Sequence, residues 1–117
     1  MLSESICIGY ADDACRHTWN IASTTWVIYS PSGQFSSSGR SCLGLATDNL
    51  VEYSAVIELL INAIEHGINH LIVKLDSHLV VSQLNGLYNV RNPGMLSKYL
   101  RVKLLEWHFQ IITTTYS

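Results

Sequence analysis

The stretch from Asp48 to Asp76 reads DNLVEYSAVIELLINAIEHGINHLIVKLD. Its first part carries apolar residues at helical spacing, on one stripe made of Val56, Leu60, Ala63 and Ile64. Asp48 suits the N-cap of this helix, and Gly67 stands where it would end. The apolar run 71–75 then suits a buried strand, with Asp76 at its carboxyl end. A long helix followed by a buried strand predicts an α/β crossover in which that strand joins a parallel pair.

The residues before this crossover predict three strands. Apolar side chains recur at every second position from Ile6 through Ile8 and Tyr10, which is strand periodicity and predicts a buried row that ends at Asp12. The segment 24–29 is β-branched and aromatic, and turn residues separate it from a third strand within 34–45. Strands joined by short turns pair antiparallel, so the sheet is predicted to be mixed.

The residues after the crossover predict helices and one more strand. A short helix is expected from Ser77 to Asn85, and Asn92-Pro93-Gly94 then breaks the chain before a second amphipathic helix. Strand character returns over 109–116. The predicted fold is therefore α/β, with a mixed five-stranded sheet flanked by helices, in one domain covering residues 1–117.

The composition is that of an ordered globular protein. Among its 117 residues, 48% are hydrophobic and 14% are charged, which is not the balance of a disordered segment. No apolar run reaches the roughly 20 residues that span a bilayer, and the N-terminus lacks the pattern of a secretory signal, so we expect no membrane partner and an intracellular location. The three cysteines are odd in number and widely spaced, which argues against a disulfide framework or a structural zinc site.

The formal net charge of −2 is not typical of a nucleic-acid-binding protein. Four of the seven basic residues nevertheless fall in one short stretch, at Arg91, Lys98, Arg101 and Lys103. This stretch has two interpretations, a phosphate-binding surface and an ordinary solvated helix face.

Three carboxylates stand at positions where a sheet of this kind gathers its ligands. Asp12 ends the first strand, Asp76 ends the crossover strand, and Glu52 lies one turn before Val56 on the core-facing stripe of the long helix, whereas Glu58 should face solvent. Taken alone, an acid at the end of a strand is more often a turn or cap residue than a metal ligand. Together they repel one another, and a hard divalent cation with oxygen ligands, Mg²⁺ or Mn²⁺, would offset that repulsion.

Three motifs make the sequence resemble the ribonuclease H family. They are YADDAC at 10–15, TDNLVEY at 47–53 and LDSHLV at 75–80, in the family's order and on the expected elements. The stretch from QLNG at 83–86 through Asn92-Pro93 is especially similar to the ribonuclease H domain of plant-type retroelement polyproteins, including reverse transcriptases. The similarity covers nearly the whole chain and implies a ribonuclease H-like fold.

The resemblance implies a function and a set of site residues. Asp12, Glu52 and Asp76 would be catalytic acids that bind two Mg²⁺ or Mn²⁺ ions for endonucleolytic hydrolysis of the RNA strand of an RNA–DNA hybrid. Asn49 and the backbone around Cys15 would contact the RNA strand, and Asn49 would recognise the 2′-hydroxyl that separates RNA from DNA. His78 adjoins the same site and is a further candidate for substrate contact.

Two departures from the family pattern affect these expectations. Asp13 stands where the family usually has glycine, which adds a side chain and a charge where backbone should approach the phosphate. The family's fourth carboxylate lies on a helix after the last strand, and nothing follows Ser117 here, so the domain is expected to be truncated at its C-terminus and to be a weak nuclease.

Two alternatives remain open at this point. The domain is either an active nuclease or a weakly active or inactive nucleic-acid-binding remnant of a retroelement, possibly part of a larger polyprotein, because a fold alone does not carry function. A different metal-dependent nuclease or strand-transfer enzyme with a similar sheet is the other alternative, which the match around Asp76 disfavours. The sequence does not determine the oligomeric state.

Overall fold

The computed structural model describes residues 6–16, 21–30, 35–44 and 48–116, and side chains within 6–11, 26–30 and 49–116. Five strands and three helices follow one another along this part of the chain. They are β1 (Ile6–Arg16), β2 (Ile21–Tyr29), β3 (Phe35–Gly44), α1 (Asp48–Glu65), β4 (His70–Leu75), α2 (His78–Leu84), α3 (Pro93–Glu106) and β5 (Ile111–Tyr116).

The strands form one mixed sheet in the order β3-β2-β1-β4-β5. The pairs β1·β2 and β2·β3 are antiparallel, whereas β4 runs parallel to both β1 and β5. This is the arrangement predicted for strands joined by turns and for strands reached through helices, so the mixed α/β sheet is confirmed. β4 takes the place beside β1 because the crossover through α1 returns the chain to the middle of the sheet.

The buried row of β1 is not the predicted one. Ile6 is 47% and Tyr10 is 39% exposed, whereas the alternate residues Cys7 and Ala11 are buried, as is Gly9. The physical reason is the close approach of α1, which packs on β1 and β2. A Cβ atom on Gly9 would come within 2.9 Å of Leu59 in that helix, so only a row of small side chains lets α1 approach this closely.

Helix α1 is surrounded by protein on nearly every side. Every residue from Val51 to Leu60 is buried except Glu58, which is intermediate rather than fully exposed as predicted. The helix ends as predicted at Gly67, whose φ of 70° suits glycine. The amide of Gly67 donates to the carbonyl of Ile64, and that of Ile68 donates to the carbonyl of Ala63, which is a Schellman motif.

The two later helices begin at side-chain caps. Oγ of Ser77 accepts a hydrogen bond from the amide of Val80 at the start of α2, and Oδ1 of Asn92 accepts from the amides of Gly94 and Met95 at the start of α3. α3 then packs on α1, and α2 lies beside β4 and β5. The two predicted helices are therefore confirmed, and the caps determine where each one starts.

Candidate active site

The sheet brings the backbones at positions 12 and 76 to neighbouring places. Tyr10 of β1 is in register with Lys74 of β4, and these two strands are parallel neighbours. Asp12 and Asp76 each follow this pair by two residues, so their backbones are neighbours just beyond the paired segment, and the convergence of their carboxylates stays a prediction. Asp12 is also in register with Thr25 of β2. Asp76 is exposed, while the side chain of Asp12 lies outside the described residues.

Glu52 occupies the first turns of α1 and is almost fully enclosed, with 2% of its surface exposed. The inward direction predicted from its place one turn before Val56 is therefore confirmed. A buried carboxylate is costly unless charge or hydrogen bonds compensate it. This cost distinguishes Glu52 from Glu58, which lies six residues further along the same helix and is only partly buried.

A side-chain hydrogen bond joins the start of α1 to the end of β4. The hydroxyl of Ser77 donates a hydrogen bond to Oδ1 of Asn49 across 3.3 Å. Oγ of Ser77 also caps α2 by accepting from the amide of Val80 at 3.2 Å. Asn49 lies three residues before Glu52, and Ser77 directly follows Asp76. The bond therefore links the segment that carries Glu52 to the segment that carries Asp76.

A second connection between helices lies deeper in the domain. The buried phenol of Tyr53 donates a 2.7 Å hydrogen bond to Oε1 of Gln83 in α2. Burial, and secondarily the nearby Tyr99, raises the pKa of Tyr53 well above its usual range, so this phenol stays a hydrogen-bond donor. Because Tyr53 directly follows Glu52, the bond holds this part of α1 against α2.

His78 forms a stacked aromatic pair at the rim of the site. Its ring lies 3.5 Å from that of Tyr116 between centroids, with 18° between the planes. Tyr116 is in register with Leu75, which precedes Asp76. Two residues before Tyr116, the carbonyl of Thr114 accepts a hydrogen bond from Nδ2 of Asn85 at 3.0 Å. Tyr116 was missed by sequence reasoning. The parallel pairing of β4 with β5 was the signal that could have placed it there.

Two further predicted positions lie on β1. Asp13 and Cys15 are in register with Thr24 and Ala22 of β2, so both belong to the antiparallel part of the strand. Their side chains lie outside the described residues, and the expectations for a charge beside the metal and for RNA contact stay predictions.

The basic stretch divides into two groups. Arg91 and Arg101 are exposed and Lys98 is partly so. Lys103 is engaged instead with the protein, because its Nζ donates to the carbonyl of Leu84 at 2.6 Å and lies 3.2 Å from the carboxylate of Glu106. Lys103 thus satisfies a terminal carbonyl of α2, which is a structural role that the sequence pattern did not predict.

The donor chemistry of the three acids fits a hard divalent cation. Carboxylate oxygens are the ligands that Mg²⁺ and Mn²⁺ prefer, and a cation would compensate the buried charge of Glu52. Within the described side chains no group of three or more histidine, cysteine, aspartate or glutamate residues is close enough to hold a metal. The carboxylate of Asp12 lies outside the described side chains, so this observation does not test the predicted site of Asp12, Glu52 and Asp76.

Comparison with known proteins agrees with this geometry. The profile of a family described as reverse transcriptase-like matches residues 11–116, nearly the whole chain. The crystal structure of RNase H1 from Halobacterium salinarum superposes with a TM-score of 0.90 at 30% identity, covering 96% of this chain and 85% of that one. The chain belongs to the ribonuclease H family.

Two curated relatives of this ribonuclease H domain are cellular proteins. Ribonuclease HI of H. salinarum is 33% identical over 96 residues, which is 82% of this chain and 48% of that protein. The bifunctional protein Rv2228c of Mycobacterium tuberculosis is 34% identical over 73 residues, which is 62% of this chain and 20% of that protein. The chain thus spans about half the length of the first relative and a fifth of the second. Neither relative is a plant retroelement polyprotein.

A further solved structure shares the fold of the ribonuclease H domain. LC11-RNase H1, solved in complex with an RNA/DNA hybrid, superposes with a TM-score of 0.86 at 23% identity, covering 95% of this chain and 84% of that one. At this identity the likeness concerns the fold. Separately, none of the helices in the described part of the chain is both long and apolar enough to cross a membrane.

Proposed function

We propose that this domain hydrolyses the RNA strand of RNA–DNA hybrids, using divalent metal held by Asp12, Glu52 and Asp76. The observation that carries the proposal is the parallel register of β1 and β4, which brings the backbones of Asp12 and Asp76 together. The hydrogen bond from Ser77 to Asn49 connects the helix that carries Glu52 to the segment that carries Asp76. The relative in H. salinarum is named ribonuclease HI, and LC11-RNase H1 was solved with a hybrid, which supports this substrate class.

The three acids would hold two Mg²⁺ or Mn²⁺ ions. When bound, such ions stabilise the attacking water and the leaving oxygen of a phosphodiester displacement. Glu52 serves as a fixed ligand, because the packed helix around it allows little movement. Asp76 directly follows β4 and is exposed, so its carboxylate is accessible to a nucleic acid. No side-chain nucleophile is needed.

Three positions would contact the substrate. Asn49 is the proposed reader of the RNA 2′-hydroxyl, and its amide nitrogen carries two donors besides the Oδ1 that accepts from Ser77. The backbone near Cys15 would approach a phosphate of the same strand. His78, stacked on Tyr116, offers an aromatic surface beside Asp76 against which a sugar or base can pack.

A weakly active or inactive nucleic-acid-binding remnant is the second candidate. The aspartate at position 13, where the family usually has glycine, favours it, because a negative charge there opposes binding of phosphate. The similarity of residues 83–93 to plant-type retroelement domains belongs with this candidate. That origin, and membership of a larger polyprotein, stay predictions from the motif alone.

Cleavage of a labelled hybrid tests the proposal. With Mg²⁺ or Mn²⁺ present we expect the RNA strand to be cut internally, duplex DNA to stay intact, and EDTA to stop the reaction. Asp76→Asn should abolish cleavage, whereas Glu65→Gln, which changes an exposed carboxylate at the far end of α1, should not. Metal-dependent hybrid binding without cleavage would favour the remnant, and equal cleavage by the Asp76→Asn variant would contradict the assigned site.

A further inference from the structure

The outer face of α3 carries a continuous apolar stripe that is not part of the core. Leu96, Leu100, Leu104 and Trp107 follow one another at intervals of four, four and three residues, so they share one side of the helix. Their exposed fractions are 38, 51, 69 and 87%. The opposite side of the helix supplies Val102, Met95 and Tyr99 to the core, so the helix is apolar on both faces.

The stripe ends in a pocket. Between α3 and the segment that precedes it lies a cavity of about 280 Å³, lined by Gly86, Tyr88, Asn89, Val90, Leu96 and Tyr99. Tyr88 is 61% exposed, which extends the apolar surface beyond the helix itself. The pocket therefore lies at the Leu96 end of the stripe, while the exposed indole of Trp107 lies at the other end, about 16 Å away at 1.5 Å per residue.

We propose that this stripe is the contact surface between two copies of the chain, paired through antiparallel α3 helices about a two-fold axis. Such an axis beside the middle of the stripe, between Leu100 and Leu104, places Trp107 of each copy opposite Leu96 of the other. The protruding indole of Trp107 in each copy then meets the pocket of the other copy. A knob and a hole on one surface are the self-complementarity that an isologous interface requires.

The exposed area of the stripe also supports a second copy of the chain as its partner. The stripe and Tyr88 together expose roughly 700 Å², near the 800 Å² that each partner contributes to a standard interface and above the 300–600 Å² of the largest patch on an ordinary monomer. The four side chains of the stripe carry no charge, whereas nucleic-acid binding draws much of its affinity from charged contacts with phosphates, so a protein surface is the occupant that this stripe fits. Tryptophan is also enriched among the residues that contribute most to the binding energy of protein interfaces.

Sedimentation of the purified chain tests the pairing at about 1–100 μM, the range of dissociation constants expected for a modest interface. We expect a concentration-dependent dimer that Leu104→Glu weakens at least tenfold. Ile111→Glu is the matched control, because Ile111 is 54% exposed and lies on β5, away from the stripe. Circular dichroism checks that each variant is folded. A wild-type monomer throughout the range, or a dimer lost in the Ile111→Glu variant and kept in Leu104→Glu, would overturn the proposal.

A charge exchange tests the antiparallel direction. Leu96→Glu and Trp107→Lys should each weaken the dimer, and the double variant should recover association, because antiparallel packing brings the two new opposite charges together across the interface. The positions are too far apart along one helix to pair within a single copy. In a parallel arrangement each new charge would face the same charge on the other copy. A double variant that associates no more tightly than either single variant would therefore contradict the antiparallel pairing.

Discussion

The hydroxyl of Ser77 reaches across 3.3 Å to Oδ1 of Asn49, and so connects two elements that are separated by 28 positions in the chain. The same hydroxyl oxygen accepts from the amide of Val80 and starts α2. One small side chain thus serves as a helix cap and as a link between α1 and the end of β4. Glu52 lies on α1 and Asp76 directly follows β4, so this contact joins the two segments that carry proposed metal ligands.

The link between Ser77 and Asn49 is measurable by a double-mutant cycle. Ser77→Ala should destabilise the domain by about 1 kcal/mol through loss of the cap. Comparison with Asn49→Ala and the double variant should give a coupling energy of roughly 0.5–1.5 kcal/mol, from urea unfolding at constant pH. Ser77→Thr retains a hydroxyl and serves as the control. Strictly additive effects would show that the two side chains do not interact in solution.

Glu52→Gln and Glu58→Gln provide a matched pair on α1. Both remove a charge and keep the shape of the side chain, but only Glu52 belongs to the proposed metal site. We expect Glu52→Gln to lower hybrid cleavage by at least about a hundredfold, the size of losing one preorganised electrostatic group, and to weaken Mn²⁺ binding measured by calorimetry. Glu58→Gln should leave both unchanged. Equal losses in the two variants would point to a general effect on α1 rather than to metal coordination.

The stacked rings of His78 and Tyr116 predict an effect on binding more than on chemistry. Tyr116→Ala should raise the KM for the hybrid severalfold with a small change in kcat, because it removes a surface that packs on the substrate and not a ligand of the metal. Tyr116→Phe keeps the ring and should preserve the KM. Ring-current shifts of the His78 protons, followed by NMR, report the stack itself. A fall in kcat at constant KM would contradict this role.

The hydrogen bond between Tyr53 and Gln83 predicts a specific cost and a specific pH dependence. Tyr53→Phe should destabilise the domain by about 1–3 kcal/mol, because it leaves the buried amide of Gln83 without this donor. Replacing both residues, by Tyr53→Phe and Gln83→Leu, should recover part of that loss. Urea midpoints at neutral pH measure both effects.

The sign of the pH effect follows from the raised pKa of Tyr53. The unfolded chain releases the phenolic proton near pH 10.0, whereas the folded protein keeps it, so the folded state binds more protons above that pH. The stability of the wild type should therefore be unaffected by this group below pH 10 and should fall as the pH rises further. The Tyr53→Phe variant lacks this contribution, so its alkaline slope should be shallower; an identical slope would show that Tyr53 ionises normally in the folded protein.

Local signals in the sequence were enough to locate most elements. The apolar stripe of α1, the glycine at position 67 and the Asn92-Pro93 pair each act through their own backbone or their nearest turns. The placement of Asp76 after a buried strand, and of Glu52 on the inner side of α1, needed only the periods of strand and helix. Predictions of this kind do not depend on what the rest of the chain does.

The tertiary structure decided what local pattern leaves undetermined. Both rows of β1 are apolar, and the larger side chains, Ile6 and Tyr10, favoured the wrong one; α1 approaches the row of Cys7, Gly9 and Ala11 because only small residues leave room for Leu59. The contacts of Ser77 with Asn49 and of His78 with Tyr116 join positions 28 and 38 residues apart. Such contacts depend on strand order and helix packing, which arise from the free energy of the whole assembled core and not from any one segment.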